Sequence, residues 1–281
     1  MLTITIDWLA ANFRSWVDET GEFERTYASF GNPEDTSPRF GYAGARVDGH
    51  GTVVMWNDDR PDMGHHFIFN GTALRNIFSK TEIQPRALLG AVLDSGGNIS
   101  RLDLAKDLTE EAFNYEAVYQ SIKQGIAGGN TRKFSKLESG ENGYTIYMGS
   151  RQSERFARLY NKAAESDLPL ALWARFEIET KGMVARALAS ALVGSDNWSR
   201  AFDGVVFTMV GNAKKANLSQ FIVPGDVPIG LPKIERQTDR EQWIESQVIP
   251  AIARHYIDNR DSPSIARLRA TLDIIDNQRK L

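Results

Sequence analysis

The sequence predicts an α+β protein, with a mainly antiparallel sheet packed by helices and a small helical C-terminal segment. Several runs alternate apolar and polar residues and are joined by Gly-containing turns, as strands of hairpins are. Other runs carry apolar residues at helical spacing. The Pro- and Gly-rich stretch "IVPGDVPIGLPK" precedes a helical tail, so we expect one domain over residues 1–230 and a helical segment over 231–281.

The first hundred residues predict strands, a hairpin and two helices. "LTITIDWL" is a short alternating run, and "FGYAGARVDGHGTVVMW" predicts a hairpin with "DGHG" at its turn. "GHHFIFNGTALRNIF" predicts a strand that passes through Asn70 and Gly71 into a helix. A second helix around "QPRALLGAVLDS" is expected to stop at Gly96 and Gly97.

The middle of the chain predicts three strands with one polar face each. "NISRLDLAKDL" alternates, "RKFSKLESGENGYTIYMGS" predicts a hairpin turning at "SGENG", "RFARLYNK" continues the alternation, and "LALWARFEIETKG" repeats it. "TEEAFNYEAVYQSIKQGI" predicts a helix with Thr109 as its N-cap. "MVARALASALV" predicts another helix, and "SDNWSRAFDGVVF" a shorter one leading into a strand.

The composition indicates a globular protein without cysteine chemistry. Of 281 residues, 42% are hydrophobic and 25% charged, which is enough to bury a full core. The absence of cysteine excludes disulfides and thiolate metal sites and is typical of a reducing compartment. No window approaches the roughly 20 apolar residues of a membrane span, so we expect a soluble intracellular protein. A net charge of -3 means that nucleic-acid binding would need a local basic patch.

Three predicted strands carry reactive side chains on the face opposite their apolar residues: Asp103 and Asp107, then Arg158, Tyr160 and Lys162, then Arg175, Glu177 and Glu179. A solvated sheet face has the same pattern, so one strand alone indicates little. Positions i and i+4 of a strand lie about 13 Å apart, so Asp103 and Asp107 do not both bind one ion without help from water or geometry. One of them paired with a Glu of a neighbouring strand could.

These residue types suit metal-dependent attack on a phosphodiester. Carboxylate oxygens are hard ligands that prefer Mg²⁺ or Mn²⁺, and such an ion would polarise a phosphoryl oxygen. A tyrosine with a pKa of about 10 is a poor nucleophile. Beside Lys162, Arg158 and a metal ion, Tyr160 becomes a credible one, because positive charge favours the phenolate. The arrangement predicts a covalent phosphotyrosine intermediate.

Three blocks of the sequence resemble a known family. "SRLDLAKDL", "GYTIYMGSRQSERFARLYNK" and "LWARFEIETKG" are similar to successive "R-x-D-x-x-x-D", "Y-x-G-S-R-x-S...R-x-Y-x-K" and "R-x-E" blocks of the replication initiation factor family of rolling-circle plasmids and filamentous phages. That family also includes relaxases of conjugative elements. "IDWL" and "GHHFIFNGTALR" resemble its N-terminal blocks, so the likeness covers most of residues 5–210.

The resemblance implies a rolling-circle replication initiator that nicks single-stranded or hairpin origin DNA and rejoins it through a 5′-phosphotyrosine. Tyr160 resembles the nucleophile, assisted by Lys162, and Asp103, Asp107 and Glu177 resemble the acidic residues around Mg²⁺ or Mn²⁺. The phosphate contacts implied by the resemblance and by the local basic stretch 132–162 are Arg101, Arg151, Arg155, Arg158 and Arg175. A solvated hairpin would explain the basic stretch equally well.

Related nickases often bind their ion through a His-hydrophobe-His pair, which this sequence lacks among its four histidines. In "GHHF", His65 and His66 fall on opposite faces of a strand, so at most one of them reaches a site; a structural or exposed histidine is the alternative to a ligand role for His66. The resemblance therefore favours a site built from carboxylates.

Several alternatives remain open at this level. The same chemistry would serve a relaxase at a transfer origin, a non-cleaving DNA-binding regulator would keep only the fold, and a nuclease that uses water would not need Tyr160. The resemblance implies the bacterial host cytoplasm, no membrane, a host helicase and polymerase as partners, and a possible homodimer. The tail from Asp239 onward is a candidate for assembly or duplex recognition.

Overall fold

The computed structural model describes residues 2–13, 33–126, 128–129, 131–139, 143–166, 172–222, 248–258, 262–267 and 270. The chain divides into two compact units, residues 1–233 and 234–281. The predicted Pro- and Gly-rich loop lies outside the described residues from position 223 onward. Of the predicted helical tail, the described part contains one helix, Ile249–Asp258, and the helical residues 263–267.

A sheet of ten strands forms the frame of the first unit, as far as the described residues extend. Neighbouring strands are antiparallel throughout, in the order β2-β3-β4-β5-β1-β6-β10-β9-β8-β7. The strands are β1 Leu2–Phe13, β2 Glu34–Asp35, β3 Gly44–Val47, β4 Val53–Trp56, β5 His65–Asn70, β6 Asn98–Thr109, β7 Phe134–Ser139, β8 Gly143–Gly149, β9 Arg155–Asn161 and β10 Trp173–Lys181. The prediction of an α+β fold with a mainly antiparallel sheet is confirmed.

The helices of the first unit pack against the sheet or its edges. They are α1 Gly71–Lys80, α2 Pro85–Asp94, α3 Tyr115–Lys123, α4 Lys162–Glu165, α5 Gly182–Val193 and α6 Trp198–Val210, with 3-10 turns at Pro61–Met63 and Ser219–Phe221. The helix Ile249–Asp258 of the second unit is α7. In the part of the chain that the structure describes, none of the helices has the length and apolar character needed to cross a membrane.

Short polar side chains set the helix starts. Asn70 ends β5, and its side chain accepts hydrogen bonds from the backbone of Thr72 and Ala73, so the strand turns into α1 as predicted. The prediction for α3 was wrong by five residues. Thr109 is the last residue of β6, and Asn114 caps α3 by accepting from Ala117 at 2.9 Å.

The predicted strand after "SDNWSRAFDG" does not form, because this stretch continues as the 13-residue helix α6. Phe202, Val205, Val206 and Met209 of this helix are buried in the core. A short apolar run such as "VVF" does not distinguish a buried helix from a strand by periodicity, and here the packed helix face decides.

The core lies on one face of the sheet. Leu102 and Leu104 of β6 and Phe176 and Ile178 of β10 are fully buried there, and helices α2, α5 and α6 belong to the same cluster. The opposite face carries only a small apolar cluster of four buried residues, around Met55, within the described residues. Charged side chains of the strands β6, β10 and β9 lie on that other face.

One ion pair is buried within the apolar face. Lys106, on β6 between Leu104 and Leu108, has no exposed surface, and its ammonium contacts the Asp203 carboxylate on α6. It also donates to the carbonyl of Phe221 at 2.9 Å and lies 4.8 Å from the Phe202 ring centroid. The pair therefore joins the central strand to α6 and to the 3-10 turn.

We expect Asp203→Ala to lower the free energy of unfolding by about 3–5 kcal/mol, because it leaves a buried ammonium without its counter-charge. The double variant Lys106→Met/Asp203→Leu should recover most of this loss. Urea denaturation measures both. Arg46→Gln, which breaks the exposed pair with Asp35, is the control and should change little. Equal stability of Asp203→Ala and the wild type would contradict the role given to this pair.

Candidate active site

The polar faces of β6, β10 and β9 meet in the middle of the sheet. The register places Arg175 of β10 between Asp107 of β6 and Tyr160 of β9, and Glu179 opposite Asp103. Antiparallel partners directly opposite each other have Cβ atoms about 4.5–5.5 Å apart, so these side chains share one surface. The structure thus brings together the three polar faces that the alternation predicted.

Tyr160 lies at the centre of this surface. Its side chain is largely buried, and its hydroxyl lies 3.5 Å from Oε2 of Glu177. The charged groups of Arg158 and Lys162 each lie 5.9 Å from the centroid of its ring. Glu177 also contacts the Arg158 guanidinium through its other oxygen. A carboxylate and two cations therefore surround the phenol.

The protein environment favours the protonated phenol. Burial raises the pKa of Tyr160, the charge of Glu177 adds to this, and the opposing effects of Arg175 and Arg158 are smaller. The expectation that positive charge would favour the phenolate is therefore not met by the protein groups alone, because desolvation outweighs it. Attack by this tyrosine requires a group that accepts its proton, and Glu177 is the carboxylate in contact with it.

Lys162 reaches the site in a different way from the one predicted. Strand β9 ends at Asn161, whose side chain accepts from the backbone of Ala163 and Ala164 and so caps the short helix α4. Lys162 is the first residue of that helix, not a third alternate position of the strand, and its ammonium pairs with Glu165. The predicted strand alternation was wrong here because the cap ends the strand one residue earlier.

Asp107 belongs to a buried ion pair. Its two oxygens accept from Nε and Nη2 of Arg175, both at 2.7 Å, and one also accepts from the indole nitrogen of Trp173 at 2.7 Å. The remaining terminal nitrogen of Arg175 contacts Asp7 of β1 at 3.1 Å. Asp107 therefore holds Arg175 in place. Asp7 was missed as a site residue, although "IDWL" pointed to its segment.

Asp103, Glu177 and Glu179 form an acidic cluster beside this pair. One nitrogen of Arg101 lies 2.6 Å from Asp103 and 2.9 Å from Glu179, and Lys181 contacts Glu179 at 2.7 Å. Burial raises the pKa of Asp103 to about 7, and the charges of Glu177 and Glu179 add to this against the effect of Arg101. Burial also raises the pKa of Glu177. The cluster therefore holds carboxylates that repel one another.

The carboxylates suit a hard divalent ion by their chemistry but are not arranged around one. Within the described ranges, no group of three or more His, Asp or Glu side chains is placed to hold a metal ion. Guanidinium groups engage the oxygens of Asp103, Asp107 and Glu177, the predicted ligands. Of this set, Asp103 shares a cation with a neighbouring carboxylate, Glu179, through Arg101.

The five arginines predicted to bind phosphate lie in three places. Arg101, Arg158 and Arg175 lie within the site. Arg151 lies in the turn before β9, with its guanidinium 4.8 Å from the Phe156 ring centroid on the same face. Arg155 pairs in register with Thr180, so it lies on the helix-covered face and away from Tyr160.

His66 lies on the site face but two strands away from β6, on β5. Its ring stacks on Tyr42 with centroids 5.8 Å apart, and burial lowers its pKa. The described residues thus place it in an aromatic contact. His66 lies level with Asn98, two strands across and five residues along β6 from Asp103, which puts it about 20 Å from the carboxylate cluster.

A pocket of about 290 Å³ opens beside Tyr160 between β8 and β9. Thr145, Tyr147 and Arg158 are among the residues that line it. Tyr147 lies opposite Arg158 in the register and stacks on Phe156. An aromatic wall next to polar groups is a surface on which an unpaired base can stack.

The part of the chain that carries this site matches a known family. Residues 97–220 match the family model described as "Replication initiation factor". Among solved structures, the fold is similar to "Structure of Rolling Circle Replication Initiator Protein from Geobacillus stearothermophilus", with a TM-score of 0.65 and 21% sequence identity, covering 74% of this chain and 86% of that chain. No curated protein matches the sequence significantly. The resemblance to the replication initiation factor family that the sequence predicted is therefore confirmed over residues 97–220.

Proposed function

We propose that this protein initiates rolling-circle replication by nicking and rejoining one strand of single-stranded or hairpin origin DNA, with Tyr160 as the nucleophile. The observation that carries the proposal is the buried Tyr160 hydroxyl beside Glu177, between Arg158 and Arg175. The family match of residues 97–220 and the shared fold support it. A host polymerase and helicase acting on the nicked strand, a homodimer, and a location in the bacterial cytoplasm belong to the same proposal.

The proposed reaction is a transesterification. The Tyr160 oxygen attacks the scissile phosphorus, a new oxygen–phosphorus bond forms, and the bond to the 3′ oxygen breaks. Glu177 accepts the phenol proton, and its raised pKa makes it a stronger base than an ordinary glutamate. The departing 3′ oxygen takes up a proton from water and becomes a hydroxyl that a polymerase can extend. The reverse reaction rejoins the strand.

Arg158 and Arg175 are the groups we assign to the phosphate. Each guanidinium is fixed by a carboxylate, Arg158 by Glu177 and Arg175 by Asp107, so each is oriented before the substrate arrives. Fixed donors aimed at a phosphoryl group stabilise charge that develops on its oxygens. Lys162 adds a cation near the ring of the nucleophile.

A divalent ion, Mg²⁺ or Mn²⁺, is part of the proposal, and when bound it would polarise a phosphoryl oxygen. Asp103 and Glu179, which share one nitrogen of Arg101, are the pair we assign to it, with Glu177 nearby. Asp107 is engaged by Arg175 and Trp173, so we now assign it to positioning Arg175.

Covalent trapping tests the nucleophile. With origin-like DNA labelled at its 3′ end, on the fragment that would stay attached to Tyr160, and Mn²⁺, the wild type should give a labelled protein-linked product on a denaturing gel, and Tyr160→Phe should give none. Tyr147→Phe, on the neighbouring strand, is the matched control and should still give the product. Cleavage by Tyr160→Phe without a protein-linked product would favour a nuclease that uses water. If the protein binds the cognate origin but does not cleave it, the result would favour a regulator. If it cleaves only a transfer origin, the result would favour a relaxase.

Glu177→Gln tests the proton acceptor. We expect the single-turnover nicking rate to fall about 10²- to 10⁴-fold while DNA binding persists, because the phenol loses its base. The wild-type rate should rise with pH as the Glu177 carboxyl loses its proton, and this rise should disappear in the variant. Glu138→Gln, which removes an exposed carboxylate paired with Lys136, is the control and should keep the pH profile. An unchanged profile in Glu177→Gln would assign proton transfer elsewhere.

The acidic cluster should make stability depend on pH. Because the pKa of Asp103 is raised from 3.8 to about 7, the folded state binds more protons than the unfolded state between these values. In EDTA, the free energy of unfolding should therefore fall between about pH 4 and pH 7, by at most about 4 kcal/mol from this group. Asp103→Asn should flatten that dependence in urea denaturation, and the exposed control Asp35→Asn should not.

Mn²⁺ added at pH 8 should raise the melting temperature of the wild type and of Asp35→Asn, and should have much less effect on Asp103→Asn. Equal stabilisation of all three proteins would remove Asp103 from the proposed ion site, whatever the outcome of the nicking assays.

A further inference from the structure

A second pocket, of about 560 Å³, lies at the far end of β9 from Tyr160, on the helix-covered face. We call it the basic pocket. Its lining includes two serines, two threonines, three cationic residues and one carboxylate, among them Arg132, Lys133, Ser150, Ser153, Glu154 and Arg155. The proposed nicking reaction uses none of them.

The turn between β8 and β9 builds one wall of this pocket. Gly149 has a φ of +91°, and a Cβ atom there would lie 2.9 Å from the carbonyl oxygen of Arg155, so a side chain is excluded. Ser153 donates to the carbonyl of Ser150 from its backbone at 2.9 Å and from its hydroxyl at 2.7 Å. Hydrogen bonds therefore fix the conformation of the "GSRQS" turn, and β9 begins at Arg155, two residues after it.

Backbone hydrogen bonds fix the opposite wall. The amide of Gly149 donates to the carbonyl of Lys133 at 2.8 Å, which holds the segment before β7 against the turn. The amide of Thr131 donates to the carbonyl of Met209 at 3.1 Å, which ties the same segment to α6. Arg132 lies between these two anchored residues. The backbone that carries Arg132 and Lys133 is therefore fixed by hydrogen bonds at Thr131 and at Lys133.

The charges of the basic pocket are unbalanced. Arg132, Lys133 and Arg155 have no ion pair with the residues that the structure describes, and Nε of Arg155 is buried without a hydrogen-bond acceptor. One carboxylate, Glu154, also lines the pocket, but its Oε1 accepts from the Met183 amide at 3.4 Å at the start of α5. Arg155 as a whole is half-buried, but a buried Nε–H without an acceptor is unfavourable, so a ligand that supplies acceptor oxygens would stabilise this arrangement.

We propose that the basic pocket binds a phosphate group through Arg155, Arg132 and Lys133, with the hydroxyl of Ser150 at its side. A phosphate has the charge and the several acceptor oxygens that a guanidinium fork and a neighbouring hydroxyl match. A fixed turn, three cations and a buried unmatched donor distinguish this pocket from a solvated basic surface.

Two sources could supply the phosphate, the backbone of DNA or a free phosphate ester. Arg155 and Tyr160 are five residues apart on β9, which is about 17 Å along the strand. Arg151 of the same turn lies over Phe156 on the site face, so the turn presents cations to both faces of the sheet. A DNA strand that leaves Tyr160 could contact Arg158 and Arg151 on the site face and then pass around the turn between β8 and β9 to Arg155 on the helix-covered face. That source rests on the proposed function, whereas the free ester does not.

DNA binding rather than nicking provides the test, in a Tyr160→Phe background where no cleavage interferes. The variant Lys133→Gln/Arg155→Gln is compared with the background protein by fluorescence anisotropy of labelled single-stranded DNA over a range of salt. We expect weaker binding and a log–log salt slope smaller in magnitude by about 0.7 for each phosphate that the variant no longer neutralises. Lys80→Gln, an exposed lysine at the end of α1, is the matched control and should change neither.

A thermal-shift measurement with inorganic phosphate, against chloride at equal ionic strength, covers the second source. A smaller salt slope assigns the pocket to the DNA backbone. The pocket is assigned to a free ester if the salt slope is unchanged and phosphate stabilises the background protein but not the double variant. If neither effect appears, the proposal is overturned. Arg155→Lys keeps the charge but not the guanidinium fork, so it should retain the salt slope and bind more weakly. If the double variant fails to fold, Lys133→Gln alone is used for the same comparison.

Discussion

The bidentate ion pair between Arg175 and Asp107 is the interaction on which the candidate site depends. It joins the two central strands at a buried position, where an unpaired charge would be strongly unfavourable, so both side chains are confined to one geometry. The same guanidinium reaches Asp7 of β1 and stands opposite Tyr160 of β9. One pair therefore lies among four strands of the sheet, and Tyr160 stands directly beside its arginine.

The charged side chains on the two faces of β6 differ in how far their charges are neutralised. On the helix side a single ammonium, Lys106, is neutralised by Asp203 in an otherwise apolar core. On the site side Asp103 and Glu179 share the cation of Arg101, and burial, with a smaller contribution from the charges of Glu177 and Glu179, raises the pKa of Asp103. The first arrangement stabilises the contact between sheet and helix. The second maintains carboxylates that would gain from a cation or a proton, which is a property expected of a reactive site rather than of a structural one.

The chemistry of Tyr160 illustrates why proximity of charges is not sufficient. The cations near the ring favour the phenolate, yet burial and the Glu177 carboxylate have a larger opposite effect and raise the pKa of the hydroxyl. The enclosure that orients the side chain thus makes its proton harder to lose. A base in contact with the hydroxyl resolves this conflict, and Glu177 occupies that position with a pKa that burial has raised in the same direction.

Local sequence signals were sufficient where a residue acts on its own backbone neighbours. Asn70 both ended a strand and began a helix as predicted, because its side chain caps the amides two and three residues later. The errors arose where two such signals competed. Thr109 stands before a helical pattern, but pairing with β10 keeps it in β6, and Asn114 provides the cap. At Lys162 the predicted alternation competed with a cap, because the Asn161 side chain accepts from the Ala163 amide and ends β9 there.

By itself the sequence determined which residues of each strand share a face, because side chains alternate along a strand, and this was enough to group Asp103 with Asp107, Arg158 with Tyr160, and Arg175 with Glu177. It did not determine which strands are neighbours, since β6 lies between β1 and β10, far from both in the chain. Only the tertiary structure decided that Asp107 binds Arg175, that Glu177 faces Tyr160, and that Arg155 lies on the other side of the sheet. The reason is that partners across strands are set by register and packing over long sequence separations, for which no local pattern exists.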